Sequence, residues 1–485
     1  MSEHILDPLL MPFFKVNSME EVTEKGFDIL KISMEYSSEN LTECPSCGEK
    51  LYKHDSRTVK ITDTPMLGKP AKLILNIPRR RCKNQDCKYI WTPTLNEIDD
   101  NHLMTKRAYK TIVNGALKRS FEDLSEEYAL SPSTIKNTFV DFIREEAEYL
   151  HFTTPFAIGL DEIKIKKLGE LTVITDLEHR TLYDMLQGRN QEELTEYFYK
   201  FPDADKVKWV CTDMYRPFRK SIESALPNAR WVIDHFHVVA YANRAIDSIR
   251  REIQNNLSKS NRIKTKKGLA YTLRKRFKDL DSEEASKIKY CRSHPDYAPL
   301  AMAYDLKEDF FNIYDDNPSS KDNAMKAFEE WEKTIPEDEI YEPFRELAKT
   351  VHNFYEEIFN RWDCPFMISN GFTECTNRII RENNVRGRGN SFEILKGRTL
   401  YRKSNMERLI QSNMVKDTRT LVGPPIPKKG AVFHFEETNN VSEEAPEAVS
   451  NTYNSFVYDP FIGLKPYEDY DPETGEIYED WEDND

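Results

Sequence analysis

Two aspartates recur in one local setting, 52 residues apart: Ile158-Gly-Leu-Asp161-Glu162 and Val210-Cys-Thr-Asp213-Met214 each end a short apolar, β-like run on a carboxylate. Singly, a strand-end aspartate is a common turn former. Two strands of one sheet that present carboxylates at neighbouring positions instead make a hard oxygen site suited to Mg2+ or Mn2+. A third acid, Glu374, lies in Ser369-Asn-Gly-Phe-Thr-Glu-Cys-Thr-Asn-Arg378, which reads as a loop capped into a helix; Glu374 and Arg378 then share a face, with Asn377 one turn along. Three carboxylates holding two metal ions can activate water or a 3′-hydroxyl and stabilise the oxygen that leaves phosphorus in an in-line displacement. In Asp234-His-Phe-His237, His237 either orients a phosphate or the second aspartate, or is a structural imidazole bonded to backbone. Read as transition-metal ligands, the two histidines and the acid lack a third anchor.

A second chemistry is written in cysteine. Cys44-Pro-Ser-Cys47-Gly and Arg81-Cys82-Lys-Asn-Gln-Asp-Cys87 are two close pairs separated by 34 residues. Each pair fits a tight turn, and four thiolates close a tetrahedral Zn2+ site with no position open to water, hence a structural one. Arg79, Arg80, Arg81, Lys83 and Lys88 flank the second pair and are placed either to touch phosphate or simply to be solvated. The remaining four cysteines are scattered, so no disulfide framework is expected in a chain of 485 residues.

Positioning these groups requires several units, and the length predicts about three domains. Residues 1–100 read as a small, loop-rich zinc-binding module with short β-like runs such as Lys72–Pro78. Residues 101–150 turn helical: Ser120–Tyr128 is a short helix, Ala129–Ser131 a turn, and Ser131 caps a helix opened by Pro132. That is the layout of a helix-turn-helix, whose second helix would set Ser133, Thr134, Lys136 and Asn137 at base edges. Residues 151–237 alternate three strand runs, a helix and further strands, predicting a mixed-sheet α/β core. Residues 238–364 are charged and helical, an insertion, and 365–415 return to small residues and then basic helix, the second part of the core. Residues 416–485 are a proline-containing linker and an acidic tail, predicted to be disordered. No apolar run reaches membrane-spanning length and no secretory signal is seen, so a soluble, intracellular protein is expected.

The net charge of −14 argues against nucleic acid until its location is noted: Glu436–Asp485 carries −15, leaving +1 for the rest of the chain. Basic side chains cluster in Arg244–Lys278 (12 against two acids) and Arg378–Lys403 (eight against two), the pattern expected of phosphate binding, although any single basic run is more often a solvated face. Arg386-Gly-Arg388-Gly is either a close backbone approach to DNA or a flexible loop. Asp176 and Asp184 are spare acids, expected to be solvated. The tail either shields the basic patches by mimicking DNA or serves solubility.

The order of zinc knuckle, helix-turn-helix, Gly-Leu-Asp161-Glu, Thr-Asp213-Met-Tyr-Arg-Pro-Phe218, helical stretch and Ser-Asn-Gly-Phe-Thr-Glu374-Cys-Thr-Asn resembles the ISL-three family of bacterial insertion-sequence transposases over roughly residues 40–415. The resemblance implies an RNase H-like core whose acid triad falls on Asp161, Asp213 and Glu374, interrupted by an all-helical insertion. It implies a transposase that binds terminal inverted repeats and then cuts and joins DNA with Mg2+ or Mn2+, besides structural Zn2+. Double-stranded repeat and target DNA would be the partners, in a dimer or larger assembly, in the cytoplasm at the nucleoid. Two other functions remain open from sequence: a DNA-binding regulator whose core is only a scaffold, and a nuclease of the same fold that hydrolyses without joining.

Overall fold

The computed structural model describes residues 13–37, 42–99, 101–188, 190–256, 268–317 and 319–419. The acidic tail and residues 257–267 of the first basic cluster lie outside them. β1 (Phe14–Glu24) and β2 (Phe27–Tyr36) form an antiparallel hairpin, β3 (Leu51–Met66) and β4 (Lys69–Cys82) a second. Each turns on two residues at positive φ, Lys25-Gly26 (52° and 85°) and Leu67-Gly68 (54° and 75°), the geometry that matches strand twist. β2 joins β4 in parallel and the short β5 (Ile90–Trp91) pairs with the far end of β4, giving the order β1-β2-β4-β3. The expectation of a loop-rich module is thereby corrected. Apolar residues occupy only the half of each long strand that packs around Phe14, Ile32, Leu73 and Leu75, whereas Tyr52–Thr58 is exposed on both faces and reads as loop in sequence.

Three helices follow: α1 (Lys106–Ala116), α2 (Phe121–Tyr128) and α3 (Pro132–Tyr149), capped by the side chains of Thr105, Ser120 and Ser131. Ala129 takes the left-handed conformation between α2 and α3. Buried Lys72 of β4 donates to the carbonyls of Tyr128 (2.9 Å) and Ala129 (3.1 Å) and to Thr62 Oγ1 (2.9 Å), and buried Asp63 of β3 accepts from Thr105 and Arg107. The sheet and the helices are thus tied at the α2–α3 turn.

After β6 (Leu150–Phe152), strands β7 (Ala157–Ile165), β8 (Gly169–Asp176) and β9 (Thr181–Gln187) form an antiparallel meander. α4 (Gln191–Tyr199), β10 (Trp209–Thr212), α5 (Arg216–Ala225) and β11 (Arg230–Ile233) come next; β10 and β11 add in parallel, giving the order β11-β10-β7-β8-β9. From α6 (His235–Asn256) to residue 363 the described chain is helical: α7 (Leu269–Arg274), α8 (Ser282–Ser293), α9 (Ala298–Asp315), α10 (Lys321–Lys333), α11 (Glu342–Asn353) and α12 (Tyr355–Phe359). α13 (Gly371–Arg386), α14 (Phe392–Leu400) and α15 (Lys403–Gln411) lead to β12 (Val415–Asp417), antiparallel to β6.

Alternation along β7 sorts the core. Ile158 and Leu160 pack with α5, α6 and α9–α12, whereas Ile163 and Ile165 pack on the opposite side with Ile112, Phe139, Ile380 and Leu395. Several expected surface groups are interior. Asp176 is 1% exposed and bonds His179 (2.8 Å) at a turn, so the expectation that it is solvated is corrected; Asp184 is half-buried and accepts from the Tyr197 hydroxyl of α4 (2.9 Å), so it is solvated only in part. The basic clusters are likewise only partly available. Arg250 is buried against Asp247 and Gln254, Arg276 against Glu308 and Asn312, and Arg398 over the Phe121 ring while donating to the Arg119 carbonyl (2.9 Å). No described helix is long and apolar enough to cross a membrane.

Candidate functional site

Register sets the acids side by side. β7, β10 and β11 are parallel neighbours in which Gly159, Cys211 and Val232 stand level. Two residues further on, at the same parity and on the same face, come Asp161, Asp213 and Asp234. Asp213 and Asp234 lie just past the carboxyl ends of β10 and β11, whereas Asp161, expected at a strand end, stands at the middle of β7, which runs on to Ile165.

α13 covers that face. It begins with Asn370, whose Nδ2 donates to the Leu160 carbonyl (2.8 Å) and whose Oδ1 accepts from Thr373 Oγ1 (2.6 Å); Thr373 also meets Thr175 Oγ1 (2.7 Å). The approach is close enough to require glycine on β7: a Cβ at Gly159 would sit 2.3 Å from Thr373 Oγ1 and 2.6 Å from Asn370 Oδ1. So docked, α13 carries Glu374 in its first turn and sets Asn377 Nδ2 2.8 Å from Asp161 Oδ2. The other Asp161 oxygen accepts the Glu162 backbone N–H (2.8 Å), and Asp213 accepts that of Tyr215 (3.0 Å).

The carboxylates feel burial and one another. Burial, reinforced by the Asp213 charge, pushes Asp161 up to about 6. Burial and the charges of Asp234 and Asp161 push Glu374 up to about 7. Burial also raises Asp213, with His237 opposing. Burial works to raise fully buried Asp234 as well, but the adjacent His235 imidazole, 3.3 Å away, outweighs it and holds the group below its ordinary value. Acids that resist ionisation together, beside buried atoms that lack hydrogen-bond partners among the described residues (both Asp234 carboxylate oxygens, His237 Nε2 and Asn377 Oδ1), fit a cation-binding site.

His237, in the first turn of α6, places Nε2 3.7 Å from Glu374 Oε1. Its ligand atom and those of Asp234 and Glu374 all lie within 4.8 Å of one another, a grouping that could hold a metal ion. Sequence reasoning passed over Asp234 as a site member and Asn370 and Thr373 as its framework. The signal for the first was its position directly after the strand Arg230–Ile233; for the others, the Ser-Asn-Gly run before a helix. Arg378 and Arg386 are exposed on α13 beside Glu382 (3.3 and 3.7 Å), and Arg388, at positive φ in the following turn, is exposed beside Asp123 (3.7 Å). They are not brought to the acids. Ser133, Thr134, Lys136 and Asn137 are exposed at the start of α3.

The cysteines converge at the far end of β3–β4. Cys44 and Cys87 sulfurs are 3.7 Å apart, Cys47 and Cys82 3.4 Å, and all four fall within 4.8 Å. Tetrahedral Zn–S bonds of about 2.3 Å demand sulfur separations of about 3.8 Å, so the set fits Zn2+. The first knuckle is closed by Gly48, at φ 76°, donating to the Cys44 carbonyl (2.8 Å); in the second the Asn84 N–H reaches Cys82 Sγ (3.3 Å).

Comparison with known proteins finds a match to each of the two regions that carry these groups. The family model for the ISL3 transposases matches residues 158–399, and that for the zinc finger of the IS204/IS1001/IS1096/IS1165 transposases matches residues 41–87. The transposase for insertion sequence element IS1001 of Bordetella parapertussis is 24% identical over 219 residues, 44% of this chain and 53% of that protein. The transposase for insertion sequence element IS1557 of Mycobacterium tuberculosis (strain CDC 1551 / Oshkosh) is 26% identical over 252 residues, 46% of this chain and 54% of that protein. The chain spans about half the length of the curated relatives it matches. With the acid-bearing domain and the four-cysteine module each matched by a model of one family, the chain belongs to the ISL3 transposases.

Proposed function

We propose that this protein binds the terminal inverted repeats of a mobile element and catalyses metal-dependent DNA cleavage and strand transfer, with Asp161, Asp213 and Glu374 as its metal-holding acids. The observation that carries the reading is the single-face cluster in which α13 sets Asn377 on Asp161 and brings Glu374 near enough to feel the Asp161 charge, with Asp161 and Glu374 pushed up to about 6 and about 7. Mg2+ or Mn2+ held there would supply activation of the attacking hydroxyl and charge stabilisation at phosphorus. The chain's own contributions are separable. Asn377 fixes the Asp161 carboxylate; buried Asp234 and His237 flank Glu374, where the imidazole can hold a phosphate oxygen or carry a proton. The strand order, with the first strand central and two parallel neighbours on one side, supports an RNase H-like core made of residues 151–237 and 365–415 and interrupted by a helical insertion, 238–364.

In this scheme residues 1–100 and 101–150 are the DNA-binding part. Ser131 caps α3 through the Thr134 N–H (3.1 Å), and the exposed Ser133, Thr134, Lys136 and Asn137 would meet base edges as in a helix-turn-helix. Arg378, Arg386 and Arg388, exposed and only loosely paired, would hold phosphate along the path to the acids. Two DNA ends must be brought together, so the active form is a dimer or larger assembly.

The test is a strand-transfer assay with Mg2+ or Mn2+ on linear DNA ending in the repeats that flank the coding sequence, comparing wild type with Asp213→Asn. Joined product from wild type alone is expected. Cleavage without joining would make it a nuclease, and repeat binding with neither reaction would leave a regulator.

A further inference from the structure

Charge is distributed unevenly along the N-terminal sheet. At the end near the hairpin turns three lysines are paired with acids of β1: Lys31 with Glu20 (3.2 Å), Lys60 with Glu24 and Lys69 with Glu21. At the zinc end Lys53, Arg57, Arg81, Lys83 and Lys88 are exposed, and none has an acidic partner among the described residues; of the basic groups there Arg79 alone is paired, with Asp55 (3.2 Å). The geometry of this end is also distinct. β2 accompanies β4 only as far as Asn76, so beyond that point β3 and β4 run on as a two-stranded ribbon, with β5 alone beside Arg80 and Arg81, and with the cysteine cluster at the tip. A two-stranded ribbon is one of the shapes the major groove of B-DNA admits.

The base of the same strand is fixed to α3. Lys72 holds the carbonyl of Ala129, three residues before Pro132 opens that helix. From Lys72 to Cys82 is ten residues of continuous strand, which at about 3.3 Å per residue is roughly 33 Å. One turn of B-DNA is about 34–36 Å. Two positive contacts joined by a stiff strand of that length can lie on one face of a duplex.

We propose that the zinc-tipped ribbon is a second contact for double-stranded DNA, set about one helical turn from the N-terminus of α3, and that the Lys72 lock fixes the spacing. The inference rests on the DNA-binding reading above and adds to it a second element and a distance. The zinc ion then has a role beyond stability: it holds Arg81, Lys83 and Lys88, around the second knuckle, at a fixed distance from α3.

The test uses the full-length zinc-loaded protein and duplexes selected from a random pool, read by hydroxyl-radical footprinting. Wild type is expected to protect two patches about 10 base pairs apart on one face. Arg81→Ala/Lys83→Ala/Lys88→Ala changes only exposed residues; with unchanged zinc content and melting temperature, it should lose the outer patch, keep the inner one, and reduce the slope of log affinity against log salt by about 2–3. Inserting five base pairs between the patches should weaken wild type at least tenfold and leave the triple variant unaffected. A single patch in wild type, or a triple variant with wild-type footprint and salt slope, overturns this inference alone. Absence of protection on every selected duplex overturns the DNA-binding reading together with it.

Discussion

Asn377→Asp tests the central geometry without any assumption about substrate. The substitution is isosteric and sets a second carboxylate oxygen 2.8 Å from Asp161 Oδ2, in a group that burial and Asp213 already hold at about 6. Two unit charges about 4 Å apart repel by roughly 4 kcal/mol at an effective dielectric of 20, equivalent to about 3 pKa units. The pair therefore keeps one shared proton up to about pH 9. The folded variant binds that proton between about pH 6 and 9, where its unfolded chain, with carboxylates near their ordinary values, binds none. Stability of the variant must then fall by about 1.4 kcal/mol for each pH unit of increase, while Asp161 of the wild type, already ionised above 6, contributes no slope there. Glu374, up at about 7, titrates in both proteins and cancels to first order. Acidifying from 8.5 to 6.5 should recover about 3 kcal/mol of the difference. With an unfolding entropy of about 2.1 cal/mol/K per residue over roughly 400 cooperating residues, that is a gain of about 3 °C in Tm relative to wild type. The assay is thermal unfolding of the zinc-loaded proteins across that range with no other divalent cation added. Adding Mg2+ at pH 8.5 should stabilise the variant more than wild type, since the cation takes the place of the shared proton. A variant whose deficit is the same at pH 8.5 and 6.5 refutes the contact between Asn377 and Asp161 and, with it, the docking of α13.

Other consequences follow from the same contacts. Gly159→Ala sets a methyl 2.3 Å from Thr373 Oγ1, so α13 must shift; urea titration should show a loss of about 1–3 kcal/mol, and metal-dependent activity should fall at least tenfold. Protons compete with cations for Asp161 and Glu374, so the Mg2+ concentration giving half-maximal rate should rise as pH falls from 8 to 6; a requirement independent of pH in this range would exclude these acids as ligands. Lys72→Met removes donors to two buried carbonyls and should cost about 2–4 kcal/mol in chemical denaturation, with hydrogen exchange accelerating first at the α2–α3 turn. Zinc chelation should abolish protection of the β3–β4 ribbon to exchange while leaving the strands that carry Asp161 and Asp213 protected.

What could be read from sequence was whatever is encoded over short spans. The paired cysteines announce their own turns, Ser131-Pro132 announces a helix start, and the apolar runs before Asp161 and Asp213 announce strands, because local geometry alone relates such residues; that β7 continues past Asp161 to Ile165 was not legible. The place of Glu374 in the first turn of a helix was legible through its Asn-Gly-Phe-Thr-Glu setting. Burial was not: Asp176, Arg250, Arg276 and Arg398 look like surface charges in any window of sequence and are interior because partners 3 to 279 residues away satisfy them. The length of β3 was hidden because its exposed half carries no alternation to detect. Only the tertiary structure decided that Gly159, Cys211 and Val232 stand level and so turn Asp161, Asp213 and Asp234 to one face, since that depends on the parallel register of three strands that no local turn relates. It alone brought α13 back across the helical stretch to Gly159, where the missing side chain of a single residue allows Asn370 and Thr373 to dock and Glu374 to reach the site. Sequence fixes which groups can do the chemistry; long-range pairing and close packing fix their distances, and those distances set the charge the acids can carry.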